Sequence, residues 1–109
     1  MRDGRQKRIS MKCVTVLYPN KEGAKFDFDY YMKKHIPMVS GFFGKGIDVQ
    51  KGILSPMGPS LAFVCAARVW IDSLEHFDAT MKQHGGKILA DISNYTNIEP
   101  IIQIDEVLS

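Results

Sequence analysis

The 109-residue chain has two cysteines, one tryptophan and no long apolar run. Each scarcity excludes something. No stretch approaches the roughly 18 apolar residues that a membrane-spanning helix needs. The first residues lack the apolar stretch of a secretory signal, so a cytoplasmic protein is the expectation. Cys13 and Cys65 each lie inside an apolar, strand-like run. Two such residues make neither a disulfide framework nor a metal motif, and buried free thiols are expected. The three histidines, His35, His76 and His84, lack metal-ligand spacing. The glycine cluster Gly41-x-x-Gly44-x-Gly46 follows a predicted helix, whereas dinucleotide sites place their glycines between a strand and a helix. No metal and no cofactor is therefore expected.

Charge is modest, and its placement matters more than its net value of +2. Arg2, Arg5, Lys7 and Arg8 against Asp3 put +3 in the first ten residues and leave −1 for the rest. Residues 1–10 read as a basic N-terminal extension, expected to be disordered and dispensable, because Met11 starts the chain afresh just before the first strand. The body is expected to bind neither nucleic acid nor membrane. With 45% hydrophobic residues, residues 11–109 suffice for one compact domain.

Alternation and punctuation predict the elements. Lys12 to Tyr18 alternates as a strand. A helix is predicted from about Phe28 to Val39, strands over Ile47 to Leu54 and Leu61 to Ile71, and a second helix capped by Asp72 or Ser73. Gly85-Gly86 is expected to interrupt that helix before a short helical piece at 87–92. Pro100 to Val107 closes the chain as a strand. The order is β-α-β-β-α-β, a ferredoxin-like α+β sandwich with both helices on one sheet face. The other face normally turns polar, yet the alternations Val14/Val16, Val64/Ala66 and Ile102/Ile104 remain apolar. A bare apolar sheet face marks an interaction surface, and a second copy of the chain is its simplest occupant. A homodimer is expected.

The segment richest in chemistry is Phe26-Asp27-Phe28-Asp29-Tyr30-Tyr31-Met32-Lys33-Lys34-His35-Ile36-Pro37. Asp27 is a natural N-cap, and Phe26 and Tyr31 have the spacing of a hydrophobic staple. His35 falls at helical spacing among Phe28, Tyr31, Met32, Val39 and Phe42, so it should point inward. Pro37 cannot donate to the carbonyl of Lys33, so the helix should kink or stop near His35. His35 is then either a core residue held by one hydrogen bond or an acid/base at neutral pH. Four other residues are candidates for binding a ligand. Tyr31 serves as staple or pocket wall, and Tyr18 as strand-end packing or pocket wall. Trp70 either stacks on a ligand or fills a dimer core. Arg68 is either an exposed edge residue or a buried cation needing a partner such as Asp105, Glu106 or a ligand carboxylate.

These residues also carry a resemblance. Tyr18-Pro19, Gly23 and Phe26-Asp27-x-Asp29-Tyr30-Tyr31-x-x-x-His35-x-Pro37 resemble the EthD family, named for ethyl tert-butyl ether degradation. Trp70-Ile71-Asp72-Ser73-Leu74-Glu75-x-Phe77 is similar to the same family's strand-to-helix junction. The resemblance spans roughly Met11 to Val107. It implies a dimeric α+β barrel, in which two ferredoxin-like sheets pack face to face. It also implies a small cofactor-independent enzyme, oxidoreductase- or monooxygenase-like, or an isomerase or cyclase. Such an enzyme acts on a hydrophobic metabolite in degradation or secondary metabolism. The alternative is a non-catalytic accessory protein that binds such a molecule.

Overall fold

The computed structural model describes residues 11–109, and the predicted extension, residues 1–10, lies outside the described residues. The order is β-α-β-β-α-β. Strand β1 is Lys12–Pro19, β2 Ile47–Lys51, β3 Phe63–Ile71 and β4 Ile101–Glu106. The four form one antiparallel sheet in the order β2-β3-β1-β4. Helix α1 runs from Phe28 to Phe43 in three parts: α-helical Phe28–Tyr30, a π-helical turn Tyr31–His35, and α-helical Ile36–Phe43. Helix α2 is Leu74–Asp91, followed by a 3₁₀ turn, Ile92–Asn94. This is the ferredoxin-like α+β fold.

The start of α1 forms as its sequence dictates. The Asp27 side chain accepts from the Tyr30 N–H at 3.0 Å, and the Phe26 and Tyr31 rings meet edge to face, 5.0 Å apart. Of the kink or stop expected near His35, the stop does not occur, and the helix continues through Pro37 to Phe43. The turn before the proline widens instead, and Ile36 N–H reaches the carbonyl of Tyr31. A wide turn accommodates a residue that has no N–H to give. It also resets the phase of the helix. In a plain α-helix, residues four apart drift by roughly 40° around the axis. Here Tyr31, His35, Val39 and Phe43 all stay buried. Met32 and Phe42, both predicted inward, are exposed and half-buried respectively. Gly44 ends the helix at φ 78°, a conformation that favours glycine.

Helix α2 is capped by Ser73, which accepts from His76 N–H at 3.0 Å, and not by Asp72. It runs unbroken through Gly85-Gly86, contrary to the predicted interruption. The reason is packing. A Cβ on the buried Gly85 would lie 3.1 Å from Met81 Cε, so the missing side chain makes room for the methionine. That close contact offsets the roughly 1 kcal/mol helix cost of a glycine. His84, expected at a helix end, sits mid-helix and stacks on Phe42 with ring centroids 3.9 Å apart.

Strand pairing corrects the expected docking face. Val14 pairs with Val69 and Ile104, and Val16 with Ala67 and Ile102. These residues share the helix side with the core around Val39, Phe43, Ile71 and Ile88. Val64 and Ala66 have the opposite parity. The uncovered face carries two adjacent rows, Gln50–Ala66–Leu17–Ile101 and Asp48–Arg68–Thr15–Gln103. The second row is polar. Thr15 hydrogen-bonds to Asp105, Gln103 donates to the same carboxylate at 2.8 Å, and Trp70 Nε1 donates to Asp48 at 3.1 Å. The uncovered face therefore carries both apolar and polar rows. Both cysteines are free and buried. No helix among the described residues is long and apolar enough to cross a membrane.

Candidate functional site

A cavity of about 200 Å3 lies between the helices and the sheet. Its floor is the covered sheet face, Val14, Val16, Ala67 and Val69, and its helical walls include Val39, Phe77, Met81 and Ile88. Three lining residues carry polar side-chain atoms: Tyr18, Tyr31 and His35. All three were singled out in the sequence. Arg68 and Trp70, also candidates there, are not brought to this cavity. They alternate with Ala67 and Val69 along β3, so their side chains leave from the uncovered face, where Arg68 is exposed.

The chain segment after α2 completes the site. Asp27 N–H donates to the Tyr95 carbonyl at 2.7 Å, Phe26 and Thr96 form an isolated bridge, and Thr96 Oγ1 donates to the Lys25 carbonyl at 2.6 Å. These bonds fasten residues 94–98 beside the N-terminus of α1. They set the Tyr95 ring 4.7 Å from the His35 ring. The Tyr18 and Tyr95 hydroxyls share a hydrogen bond of 2.6 Å, and the Tyr31 side chain lies close to the Tyr18 hydroxyl and the Cys65 thiol. Burial pushes all three phenols up, so they remain hydroxyls; the proximity of Tyr18 adds to this at Tyr31 and Tyr95. Burial also pushes the Cys65 thiol up, to about 11, which leaves it un-ionised at neutral pH and poor as a nucleophile.

Asp91, at the last turn of α2, holds His35. Its Oδ2 lies 2.9 Å from His35 Nδ1, while its Oδ1 accepts from the Tyr30 hydroxyl at 2.7 Å and from Asn94 Nδ2 at 3.0 Å. Burial pushes the Asp91 carboxyl up, but the hydrogen bonds from Asn94, Tyr30 and His35 outweigh it and hold the carboxyl below its ordinary value. An ionised carboxylate only accepts, so His35 Nδ1 carries the proton and Nε2 is the bare acceptor. Burial lowers the His35 pKa, and the pull of Asp91 only partly offsets this. The contact is therefore a hydrogen bond to a neutral imidazole near pH 7 and not a salt bridge. His35 is 5% exposed, and Nε2 has no partner among the described residues. Tyr31 stacks on the imidazole, with rings 5.6 Å apart and 16° from parallel.

The arrangement fixes the sign of a pH effect. With its folded pKa below the ordinary value of 6.5, His35 resists a proton that the unfolded chain accepts. Its contribution to stability is complete above pH 6.5 and is lost as pH falls from there towards the folded value. Asp91, held below 3.8, withdraws a second contribution at more acidic pH, with the same sign. Urea denaturation at a series of pH values from 8 to 5 is expected to show stability declining on the acid side. His35→Gln should flatten the decline between pH 7 and 5; an unchanged decline in that variant would remove His35 as its source.

Asp91 and Tyr95 went unnoticed in the sequence. Their only signal is the polar run Asp91-x-x-Asn94-Tyr95 directly after an amphipathic helix. Among the described residues no group of three or more His, Cys, Asp or Glu gathers as a metal site.

Fold and site together define a ferredoxin-like α+β protein with an apolar pocket and one carboxylate-oriented histidine. An EthD-like protein from Ralstonia eutropha superposes with a TM-score of 0.84 at 44% identity, covering 92% of this chain and 94% of its own. This chain belongs to the EthD-like family. An EthD family protein from Bacillus halodurans matches with a TM-score of 0.70 at 24% identity, over 88% of this chain and 97% of that one. A protein from Bacteroides fragilis, described as dimeric and ferredoxin-like and of unknown function, matches with a TM-score of 0.51 at 17% identity, over 88% and 95%. No protein-family profile and no curated protein matches the chain.

Proposed function

We propose that the chain is a small acid–base enzyme that acts on a hydrophobic small molecule, with His35 as the residue that takes and returns a proton. One observation carries the reading. A buried imidazole that lines an apolar cavity is oriented through Nδ1 by an ionised carboxylate, and its other nitrogen is left without a partner among the described residues. This is the arrangement that general-base catalysis needs, with a third group fixing the tautomer of the base. Oxygenation, isomerisation and cyclisation, the reactions the family resemblance implies, can each begin with removal of a proton from the substrate. Tyr18 and Tyr31 shape the pocket beside His35.

His35→Ala is expected to leave a folded protein and to lower turnover of a cognate substrate by about 10²–10⁴-fold, the usual worth of a general acid or base. Undiminished turnover in a folded variant would remove His35 from the chemistry. The second reading is a binding protein without chemistry. It is favoured by the Tyr18 and Tyr95 hydroxyls, which are spent on one another. In that case the same variant lowers affinity, and no product forms with either protein.

The uncovered sheet face is the proposed homodimer interface. The apolar row through Ala66 and Leu17 supplies area to bury. The neighbouring row offers both signs of charge, Arg68 and Asp48, to a copy of itself. The dimeric description of the Bacteroides fragilis neighbour supports this reading. Sedimentation equilibrium at micromolar concentration is expected to give a dimer, and Ala66→Glu a monomer. A monomeric parent protein would rule the interface out.

A further inference from the structure

Charge, polarity and size of the cavity narrow what it can hold; this step rests on the acid–base reading of His35. Among the described residues no Lys, Arg, Asp or Glu lines the cavity. A carboxylate or phosphate entering it would shed water and meet no counter-charge, which is strongly unfavourable. The occupant is therefore neutral.

Its polarity follows from what is left to bond. The Tyr18 hydroxyl is engaged with that of Tyr95 at 2.6 Å, and Tyr31 is packed against Tyr18 and the Cys65 thiol. The Nδ1 atom of His35 is engaged with Asp91. Nε2 remains, and in the neutral tautomer it is an acceptor. An occupant that only accepts, such as a simple ether or a non-enolisable ketone, leaves it bare. An occupant with an O–H fills it.

Size and entrance set the rest. Apolar cavities of about 150 Å3 take up benzene, so about 200 Å3 holds one ring with a short substituent. The lining residues that reach solvent most are Leu89 and Ile102, at 51% and 46% exposure. The entrance is thus as apolar as the walls.

We propose that the cavity binds a neutral, single-ring molecule bearing a hydroxyl, a phenol, enol or cyclic alcohol, whose O–H is donated to His35 Nε2. The apolar remainder lies along Val16, Ala67 and Met81.

Four ring compounds test this by calorimetric or NMR titration of the whole protein: 4-methylphenol, 4-methylanisole, toluene and 4-methylbenzoate. The phenol is expected to bind about tenfold more tightly than the methyl ether or toluene, the factor that about 1.4 kcal/mol represents. The benzoate is expected to bind weakest. Binding of the phenol should also move the His35 Nε2 resonance in the unmodified protein. In His35→Phe the preference for the hydroxyl should vanish while toluene still binds. Equal affinity for phenol, ether and toluene overturns the hydroxyl assignment and leaves the apolar pocket standing. Failure of every ring compound to bind overturns the pocket reading as well. A hydroxyl preference with an unmoved Nε2 resonance overturns the role given to His35, whether or not the variant folds.

Discussion

Asp91→Ala is expected to disable the site without touching the cavity. The carboxylate receives three hydrogen bonds, from His35, Tyr30 and Asn94. Its removal leaves the buried Nδ1–H of His35 with nothing to accept it. An orphaned buried donor costs about 1–3 kcal/mol, and the Tyr30 bond is lost besides. The imidazole is then free to exchange tautomers and to rotate, so a proton-transfer step that depends on Nε2 should fall with the stability. Asp91 also holds the His35 pKa up against burial, so an NMR titration of His35 in the variant should give a value lower than in the parent. A His35 titration that does not move, together with unaltered denaturation, would show that the two side chains are not coupled. Asp91→Asn should fall between parent and alanine, since an amide oxygen still accepts from Nδ1.

Phe43→Ala is expected to have the largest effect on stability. Phe43 closes the α1 stripe of Tyr31, His35, Val39 and Phe43. It is buried in the cluster that joins Val14, Val39, Val69, Ile71 and Ile88, with Phe77 6.2 Å away ring to ring. Truncating a buried phenylalanine costs about 3–5 kcal/mol, part of it for the void left behind. Phe43 also lines the cavity, so the void should extend it away from His35. A urea midpoint that scarcely shifts would mean that the core does not depend on this layer. If the variant folds, a bulkier ring compound should gain affinity relative to toluene.

The two variants also mark the limit of what the sequence makes legible. Phe26, Asp27, Tyr31 and His35 lie within one segment, where cap, staple and helical spacing are local rules, so His35 is readable as an inward histidine. Tyr18 is readable as the end of an apolar strand. Asp91 is separated from His35 by 56 positions, and no local rule links them. The bridge from Phe26 to Thr96 that unites the two segments is a tertiary event. Phe43, and not Phe42, is buried because of the π turn, which periodicity counted at 3.6 does not register. Arg68 and Trp70 were separable from Val69 only by parity, and parity without a known partner strand cannot say which face is the pocket. Gly85-Gly86 reads as a break from propensity alone, and the packing of Met81 over Gly85 overrides it.

The strand order has a consequence in time as well as in space. β1 lies at the centre of the sheet, yet its partners are made late: Thr15 and Asp105, bonded side chain to side chain, are 90 residues apart. Contacts of such long sequence separation slow folding, because loop-closure entropy is lost before the contact is gained. Until β4 docks, one edge of β1 is open, with backbone groups available to any passing strand. The cavity meanwhile lacks the wall formed by Ile102. A ligand pocket built on this topology is complete only once β4 has paired, so a molecule that binds it stabilises the paired sheet.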